Sequence, residues 1–241
     1  MIKLSKEFLN DLVSFPKDTI STLSSSDGLN GKSLVTSPIN LFDFDKITKI
    51  FFVTNPPASA DAMFFDSKRI AFIEFKTGFN RRVTKKNLDP QKMTCPKDGS
   101  SCEDYKDLFF KKQKSEINEI IDSIRFKIIE SGRFLEFKGS LGISSESKEF
   151  SFVFVVVIDV PNTDALDGMM NDLTKKTNSR PTGNNCIAEV GECFCRFRKS
   201  DSNGLYLYDE IKVYSSVEFQ AICDNKSGCQ VLNPAGVAHG I

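Results

Sequence analysis

Two acidic residues and a lysine are spaced so that a single β-hairpin would bring their side chains together. Asp61 begins one apolar run, and Glu74 and Lys76 close the next one. If the turn between the runs is centred on Ser67 and Lys68, paired residues have numbers that sum to 135, so Asp61 faces Glu74. Directly opposed residues project to one side of a sheet, and Lys76 joins them because strand side chains alternate. The spacing therefore predicts two carboxylates and an amine in one cluster.

This cluster is suited to chemistry on a phosphodiester. Two carboxylates opposed across strands repel each other and destabilise the sheet unless a cation lies between them. Mg²⁺ supplies that compensation, since it binds one or two carboxylates together with water and phosphate oxygens. Lys76 would orient a water beside the metal, help to deprotonate it and offset the charge that develops on phosphate.

The same residues resemble a known motif. Asp61, separated by twelve residues from the sequence Glu74-Phe75-Lys76, resembles the PD-(D/E)XK nuclease superfamily, although Ala60 stands where the motif often has Pro. The order of helices and strands over residues 46–160 is similar to the αβββαβ core of that superfamily. The resemblance implies that Asp61 and Glu74 bind Mg²⁺, for which Mn²⁺ would substitute, and that Lys76 assists the nucleophilic water.

The resemblance also implies a Gln or Lys on the helix that follows the hairpin. Gln113 lies four residues before Ile117 and seven before Ile120, so it continues an apolar stripe toward the sheet. We assign it the catalytic role, with Lys112 and Lys114 as flanking alternatives.

Two other acids are open to competing interpretations. Asp66 lies an odd number of residues after Asp61, so its side chain would point to the side of the sheet opposite to Glu74. We therefore expect Asp66 to shape the hairpin turn. Glu7 would be an additional metal ligand, as in some members of the superfamily, or an ordinary solvated helix charge. The hairpin itself has a purely structural alternative, in which Lys76 neutralises Glu74 on an exposed face.

Local charge points to a nucleic-acid partner. Lys+Arg and Asp+Glu both number 32, but residues 68–92 hold eight basic residues against Glu74 and Asp89. A basic cluster beside a metal site fits a phosphate backbone, and a solvated loop is the alternative. We expect DNA as the substrate, with RNA left open, and we expect nucleic-acid contacts from Arg81, Arg82, Lys85, Lys86, Lys112 and Lys114.

The elements that must position these residues follow from apolar patterning. We predict helices over residues 4–23 (broken near Pro16), 103–131 and 164–176, and strands over 46–54, 60–65, 69–75, 150–160, 192–199 and 205–215. Residues 24–37 are a predicted linker and residues 77–102 a predicted loop. The fold class is α/β, a restriction-endonuclease-like αβββαβ core with a central mixed sheet flanked by helices. Residues 1–160 form this core, and residues 161–241 form a C-terminal α/β extension packed on the same domain.

Composition excludes several classes of chain and of active site. The chain has 241 residues, 40% of them hydrophobic and 27% charged, which excludes long disorder and coiled coil. Its one histidine, His239, argues against Ser-His and Cys-His nucleophiles and against His-rich zinc sites. The seven cysteines, the absence of a secretory signal and an apolar run too short to span a bilayer favour a cytoplasmic protein with reduced thiols and no membrane partner.

The predicted function is a Mg²⁺-dependent DNA endonuclease. A homodimer is possible, because double-strand cutting by one-site enzymes commonly needs two copies. The alternative is a non-catalytic module on the same fold that binds nucleic acid or another protein.

Overall fold

The computed structural model describes residues 2–4, 6–12, 14–25, 31–66, 68–79, 103–140, 148–159, 186–198 and 207–225. Their strands are β1 (Ile2–Leu4), β2 (Lys17–Thr19), β3 (Asn40–Asp43), β4 (Ala62–Phe65), β5 (Arg69–Lys76), β6 (Lys148–Ile158) and β7 (Glu210–Ser215). Their helices are α1 (Lys6–Leu12), α2 (Ile20–Leu23), α3 (Phe44–Phe51), α4 (Glu103–Ser140), α5 (Cys186–Glu192) and α6 (Ser216–Asp224).

The described strands form one mixed sheet. Neighbouring strands follow the order β2-β3-β4-β5-β6, with antiparallel pairing from β2 to β5 and parallel pairing between β5 and β6. The other edge of β6 pairs with β1 over its first residues and with β7, in parallel, over residues 153–158. Because β5 and β6 are parallel, the chain between them must cross over the sheet, and α4 makes that connection.

Side-chain alternation along β5 and β6 builds a core on each face of the sheet. Phe72 and Phe154 pack with buried residues of α1, α3, α4 and α5, whereas Ile73 and Val155 pack with α2 and α6. The strand predicted over residues 150–160 is present as β6, and all residues of 152–158 are buried, as in a central strand covered on both faces. The α/β class, with a mixed sheet flanked by helices, is likewise confirmed.

The predicted strand over residues 46–54 is wrong, because this segment is the helix α3. The Asp43 carboxylate accepts a hydrogen bond from the Lys46 N–H at 2.9 Å and so caps the helix. Phe44, Ile47 and Thr48 are buried on one face at helical spacing, while Ile50 is exposed. A short run rich in Ile and Phe satisfies both helix and strand patterns, and here the cap decides between them.

The predicted strand over residues 192–199 is also wrong. The chain there leaves α5 and forms a 3-10 turn over Cys195–Phe197. Amide hydrogen bonds to the third residue back, such as Phe197 to Phe194 at 3.0 Å, form this turn, and Arg198 directly after it makes an isolated bridge with Tyr208.

The predicted helix over residues 4–23 does break near Pro16, but its second half is only partly helical. Lys17–Thr19 pairs with β3 as β2, and Thr19 then caps the short helix α2. The pairing is fixed by a distant strand, which local patterning does not register.

The remaining predictions divide into those that match and those that fall outside the described residues. The hairpin strands lie at β4 and β5, and the helix predicted to begin at residue 103 is α4, which continues to Ser140. The helix predicted over residues 164–176 lies outside the described residues. In the C-terminal segment, β7 extends the sheet beside β6, and Phe194, Phe197 and Tyr208 are buried in the same core as Phe154. None of the helices in the described ranges is long and apolar enough to cross a membrane.

Candidate active site

The hairpin that carries the two acids has the predicted register. Met63 pairs with Phe72 and Phe65 with Ile70, so the paired numbers sum to 135. One carboxylate oxygen of Asp66 accepts hydrogen bonds from the N–H groups of Lys68 (2.7 Å) and Arg69 (2.8 Å). Asp66 therefore shapes the turn, as predicted, and this local bonding sets the register of the strands on either side.

The register brings Asp61 and Glu74 together at the edge of the sheet. Glu74 lies in β5 and is 1% exposed, and Asp61 directly precedes β4. The Asp61 Oδ2 atom accepts a hydrogen bond from the Phe75 N–H at 2.7 Å, and its carbonyl oxygen accepts one from the Phe44 N–H at 3.2 Å. The backbone therefore holds Asp61 in place, with its other carboxylate oxygen turned toward Glu74.

A third residue, Lys127, connects the two acids. Its Nζ atom donates to Asp61 Oδ1 at 3.1 Å and to Glu74 Oε2 at 2.7 Å. The hairpin spacing predicts a cation between these carboxylates, and we assigned that place to a metal ion. In the structure an ammonium group from α4 provides the positive charge.

Lys127 belongs to a polar row on the face of α4 that packs on the sheet. Ser123, Lys127 and Ser131 recur every four residues and so lie above one another on the helix. The Ser131 side chain accepts the Ala60 N–H at 2.9 Å. This spacing of small or polar residues beside the apolar stripe is a signal that was present in the sequence and was missed.

Lys76 lies on the same side of β5 as Glu74 and is half-buried. Its Nζ atom lies 3.1 Å from the Ser123 hydroxyl oxygen, to which it donates a hydrogen bond. The structure thus brings Asp61, Glu74 and Lys76 together under α4, as the hairpin register predicts. The two lysines have different partners, since Lys127 contacts both acids and Lys76 contacts a hydroxyl.

Asp159, which no sequence pattern singled out, fixes the backbone directly after Lys76. Its carboxylate oxygens accept the N–H groups of Gly78 at 2.7 Å and Phe79 at 2.8 Å. Gly78 has a φ of +102°, a conformation that glycine adopts without strain. The chain is therefore anchored at the carboxyl end of β5, at the point where the predicted basic loop begins.

The other predicted site residues lie farther along the chain. Gln113 is in α4, ten residues before Ser123, which corresponds to roughly 15 Å along the helix axis. Lys112 is exposed on the same helix, and Lys114 also lies in it. Glu7 lies in α1. The roles of these residues stay predictions, and Arg81, Arg82, Lys85 and Lys86 lie outside the described residues.

Burial and charge oppose each other at Glu74. Burial first, and then repulsion by Asp61, raise the pKa of Glu74 from 4.5 to about 8, although Lys127 and Lys76 act in the opposite direction. Burial alone would lower the pKa of Lys127, but the combined attraction of Glu74 and Asp61 raises it above its ordinary value. Burial therefore favours the protonated form of Glu74, whereas the charges of Lys127 and Lys76 favour its carboxylate.

The proton of Glu74 gives a prediction for stability in the absence of metal. Because the pKa of Glu74 is about 8 in the folded protein and 4.5 in its ordinary state, folding retains a proton that the unfolded chain releases. The contribution of Glu74, which faces Asp61, Lys76 and Lys127, is fully present below pH 4.5 and is lost as the pH rises through about 8.

We therefore expect the free energy of unfolding in EDTA to fall across that pH range, and Glu74→Gln to reduce the slope. Chemical denaturation at a series of pH values measures both. The exposed Glu119→Gln serves as the control and should leave the slope unchanged. An equal slope in wild type and Glu74→Gln would contradict the raised pKa.

The donor set of the cluster suits a hard divalent cation. Two carboxylates with water and phosphate oxygens form the kind of site that Mg²⁺ and Mn²⁺ occupy. Within the described ranges, no group of three or more His, Cys, Asp or Glu side chains is placed to hold a metal ion. A metal ion held by Asp61 and Glu74 would complete its coordination with water and substrate oxygens.

The fold and cluster together define an α/β protein with a carboxylate pair and two lysines at one edge of a mixed sheet. Comparisons of the chain with protein-family models, with curated proteins and with solved structures found no match. What the cluster can do is therefore inferred from its own geometry.

Proposed function

We propose that this protein is a metal-dependent nuclease that hydrolyses phosphodiester bonds of DNA on a PD-(D/E)XK-like fold. The observation that carries the proposal is that Asp61, directly before β4, and Glu74 in β5 lie close enough to share the Lys127 ammonium, with Lys76 on the same side of β5. Three residues chosen from the sequence for their chemistry lie together under one helix, in the register that their spacing predicts.

The topology supports the same proposal. The antiparallel strands β3, β4 and β5 are followed by α4 and then by β6, which is parallel to β5. This order agrees with the βββαβ portion of the superfamily core, and α1 and α2 precede it in the chain. The helix α3, inserted between β3 and β4, is a departure from that pattern. Lys76 and Asp159 lie at the carboxyl ends of parallel strands, where open α/β sheets usually bind ligands.

In the proposed mechanism each residue has a role that follows from its contacts. Asp61 and Glu74 would hold Mg²⁺ or Mn²⁺, which when bound polarises phosphate and activates water. The Phe75 N–H orients Asp61 by donating to its Oδ2 atom. Lys76 presents an ammonium to the water or the phosphate, and Ser123 positions it. The catalytic role of Gln113 is implied only by the family resemblance and stays a prediction.

The direct test is cleavage of supercoiled plasmid DNA. We expect nicked and linear products with Mg²⁺ or Mn²⁺ and none with EDTA. Single-stranded DNA and RNA of matched length, assayed in parallel, determine the substrate class. Absence of any cleavage with either ion on all substrates would refute the enzymatic proposal.

One observation favours the non-catalytic alternative. Lys127 already places a positive charge between the two carboxylates, so the cluster can be stable without a metal ion. On that alternative the fold binds nucleic acid without cutting it, and acid variants bind DNA like the wild type. Metal-dependent nicking separates the two functions.

Nucleic-acid binding gives a prediction of its own. If Arg81 and Arg82 contact phosphates, reversal of both to Glu should weaken binding to all sequences about equally. The slope of log K against log salt should become shallower by roughly two, because each contact contributes about 0.9. Fluorescence anisotropy in EDTA at several NaCl concentrations measures both quantities.

The matched control reverses Lys32 and Lys49, which are exposed and lie outside the predicted interface. It makes the same change in net charge and should alter the slope much less. Equal effects of the two double variants would mean that net charge acts on binding and that the basic loop makes no specific contact.

A further inference from the structure

The metal-free cluster holds its own cation. The Lys127 ammonium lies within hydrogen-bond distance of one oxygen from each acid, 3.1 Å from Asp61 Oδ1 and 2.7 Å from Glu74 Oε2. The second carboxylate oxygen of Asp61 accepts a hydrogen bond from the Phe75 N–H. Lys127 therefore occupies the carboxylate oxygens that face the centre of the site.

A divalent ion held by Asp61 and Glu74 would draw on the same carboxylates that now accept from Lys127. Mg²⁺ requires oxygen ligands at about 2.0–2.1 Å, much closer than the ammonium stands to either carboxylate. An ammonium in its present position would also repel the ion strongly, because both are cations and the site is largely removed from water. The two cations therefore compete for one place.

Lys127 is well placed to leave the acids. Its side chain is 23% exposed, in contrast to the 1% of Glu74, and it reaches the acids from α4, on a long flexible stem. Withdrawal of the ammonium toward solvent requires only rotations of that stem. The polar contacts of its row neighbours, Ser123 with Lys76 and Ser131 with Ala60, can remain in place.

We propose that Lys127 is a resident counter-cation, which holds the metal-free carboxylate pair together and withdraws when a divalent ion binds. This inference rests on the proposed function, since it assumes that Asp61 and Glu74 are metal ligands. Lys127 acts through the acids and is a positioning residue. Its role is distinct from that of Lys76, whose ammonium donates to the Ser123 hydroxyl.

The first test measures Mn²⁺ affinity by calorimetry and electron paramagnetic resonance. Lys127→Met keeps the aliphatic stem and removes the charge, so we expect its Mn²⁺ dissociation constant to be at least about tenfold lower than that of the wild type, the effect of roughly 1.4 kcal/mol. Lys111→Met, at an exposed position of the same helix, is the matched control and should bind like the wild type. Unchanged or weaker binding in Lys127→Met would overturn the inference.

The second test measures thermal unfolding. In EDTA, Lys127→Met should melt at a temperature lower by roughly 5 °C or more, because two largely buried carboxylates lose their cation. Saturating Mn²⁺ should raise its melting temperature more than that of the wild type. Equal melting temperatures in EDTA would contradict the counter-cation role.

A third measurement needs no variant and remains valid if Lys127→Met fails to fold. Acetylation of wild-type lysines by N-hydroxysuccinimide acetate, read by mass spectrometry, should increase at Lys127 when Mn²⁺ is added and stay constant at Lys111. If the wild type binds Mn²⁺ without this increase, the withdrawal of Lys127 is refuted but the metal site is not. If neither wild type nor Lys127→Met binds Mn²⁺, the proposed nuclease site itself is wrong.

Discussion

We expect Asp61→Asn and Glu74→Gln each to lower the rate of Mg²⁺-dependent DNA cleavage by about 10³-fold or more. Each substitution keeps the shape of the side chain but removes the charge that binds the ion. A metal ion contributes several kcal/mol to transition-state stabilisation, and each 1.36 kcal/mol corresponds to a factor of about ten in rate. Plasmid nicking under single-turnover conditions measures this loss.

Both variants should remain folded. Asp61→Asn keeps a side-chain oxygen that can accept the Phe75 N–H, and Glu74→Gln resembles the neutral acid that the raised pKa of Glu74 favours at neutral pH. DNA binding in EDTA should persist in both variants and should tighten in Asp61→Asn, which removes a negative charge. Circular dichroism and anisotropy separate loss of chemistry from loss of fold.

Asp66→Asn is the control from the same hairpin. It keeps the oxygen that accepts the turn N–H groups of Lys68 and Arg69, so it should cleave close to the wild-type rate. An inactive Asp66→Asn together with an active Asp61→Asn would mean that a different acid binds the metal.

The acid pair was predictable because everything that fixes it is local. The turn at Asp66, the alternation of apolar residues and the pairing of β4 with β5 all lie within a short stretch of chain. A one-residue slip would send Glu74 to the opposite face, so the apolar pattern that buries Phe72 also specifies where the carboxylates meet.

Lys127 was not predictable in the same way, because its partners Glu74 and Asp61 lie 53 and 66 residues away in the sequence. They depend on the position of α4 along the sheet. That position is set by the packing of Ile124 and Ile128 in the core shared with the strands and the neighbouring helices. Helix periodicity indicates which side of α4 is buried, but it does not indicate how far α4 is shifted along its axis relative to the strands.

The wrong strand assignments have a related cause. Residues 46–54 and 192–199 are short and rich in apolar residues, and such runs are ambiguous between helix and strand. At α3 a single hydrogen bond from Lys46 to the Asp43 carboxylate starts a helix. The strands β2 and β1 form because they pair with segments far along the chain, β3 and β6 respectively. The long central strand β6 was predicted because only a strand buried on both faces is so uniformly apolar.

Lys76→Met should lose cleavage while it keeps the metal. The substitution retains the side-chain stem but removes the ammonium that the Ser123 hydroxyl positions. Removing one electrostatic donor from an active site typically costs about 10²–10³-fold in rate. We therefore expect a loss of that size under single-turnover conditions, with a Mn²⁺ dissociation constant within a few-fold of the wild-type value or lower.

The comparison with two further variants makes this prediction specific. Ser123→Ala keeps the Lys76 ammonium and removes only its acceptor, so the rate should fall by less than in Lys76→Met. Lys68→Met alters an exposed lysine in the turn of the same hairpin and should cleave like the wild type. If Lys76→Met cleaved normally while Lys127→Met were inactive, the lysine that assists the reaction would be the one on α4, and the roles assigned here to the two lysines would be exchanged.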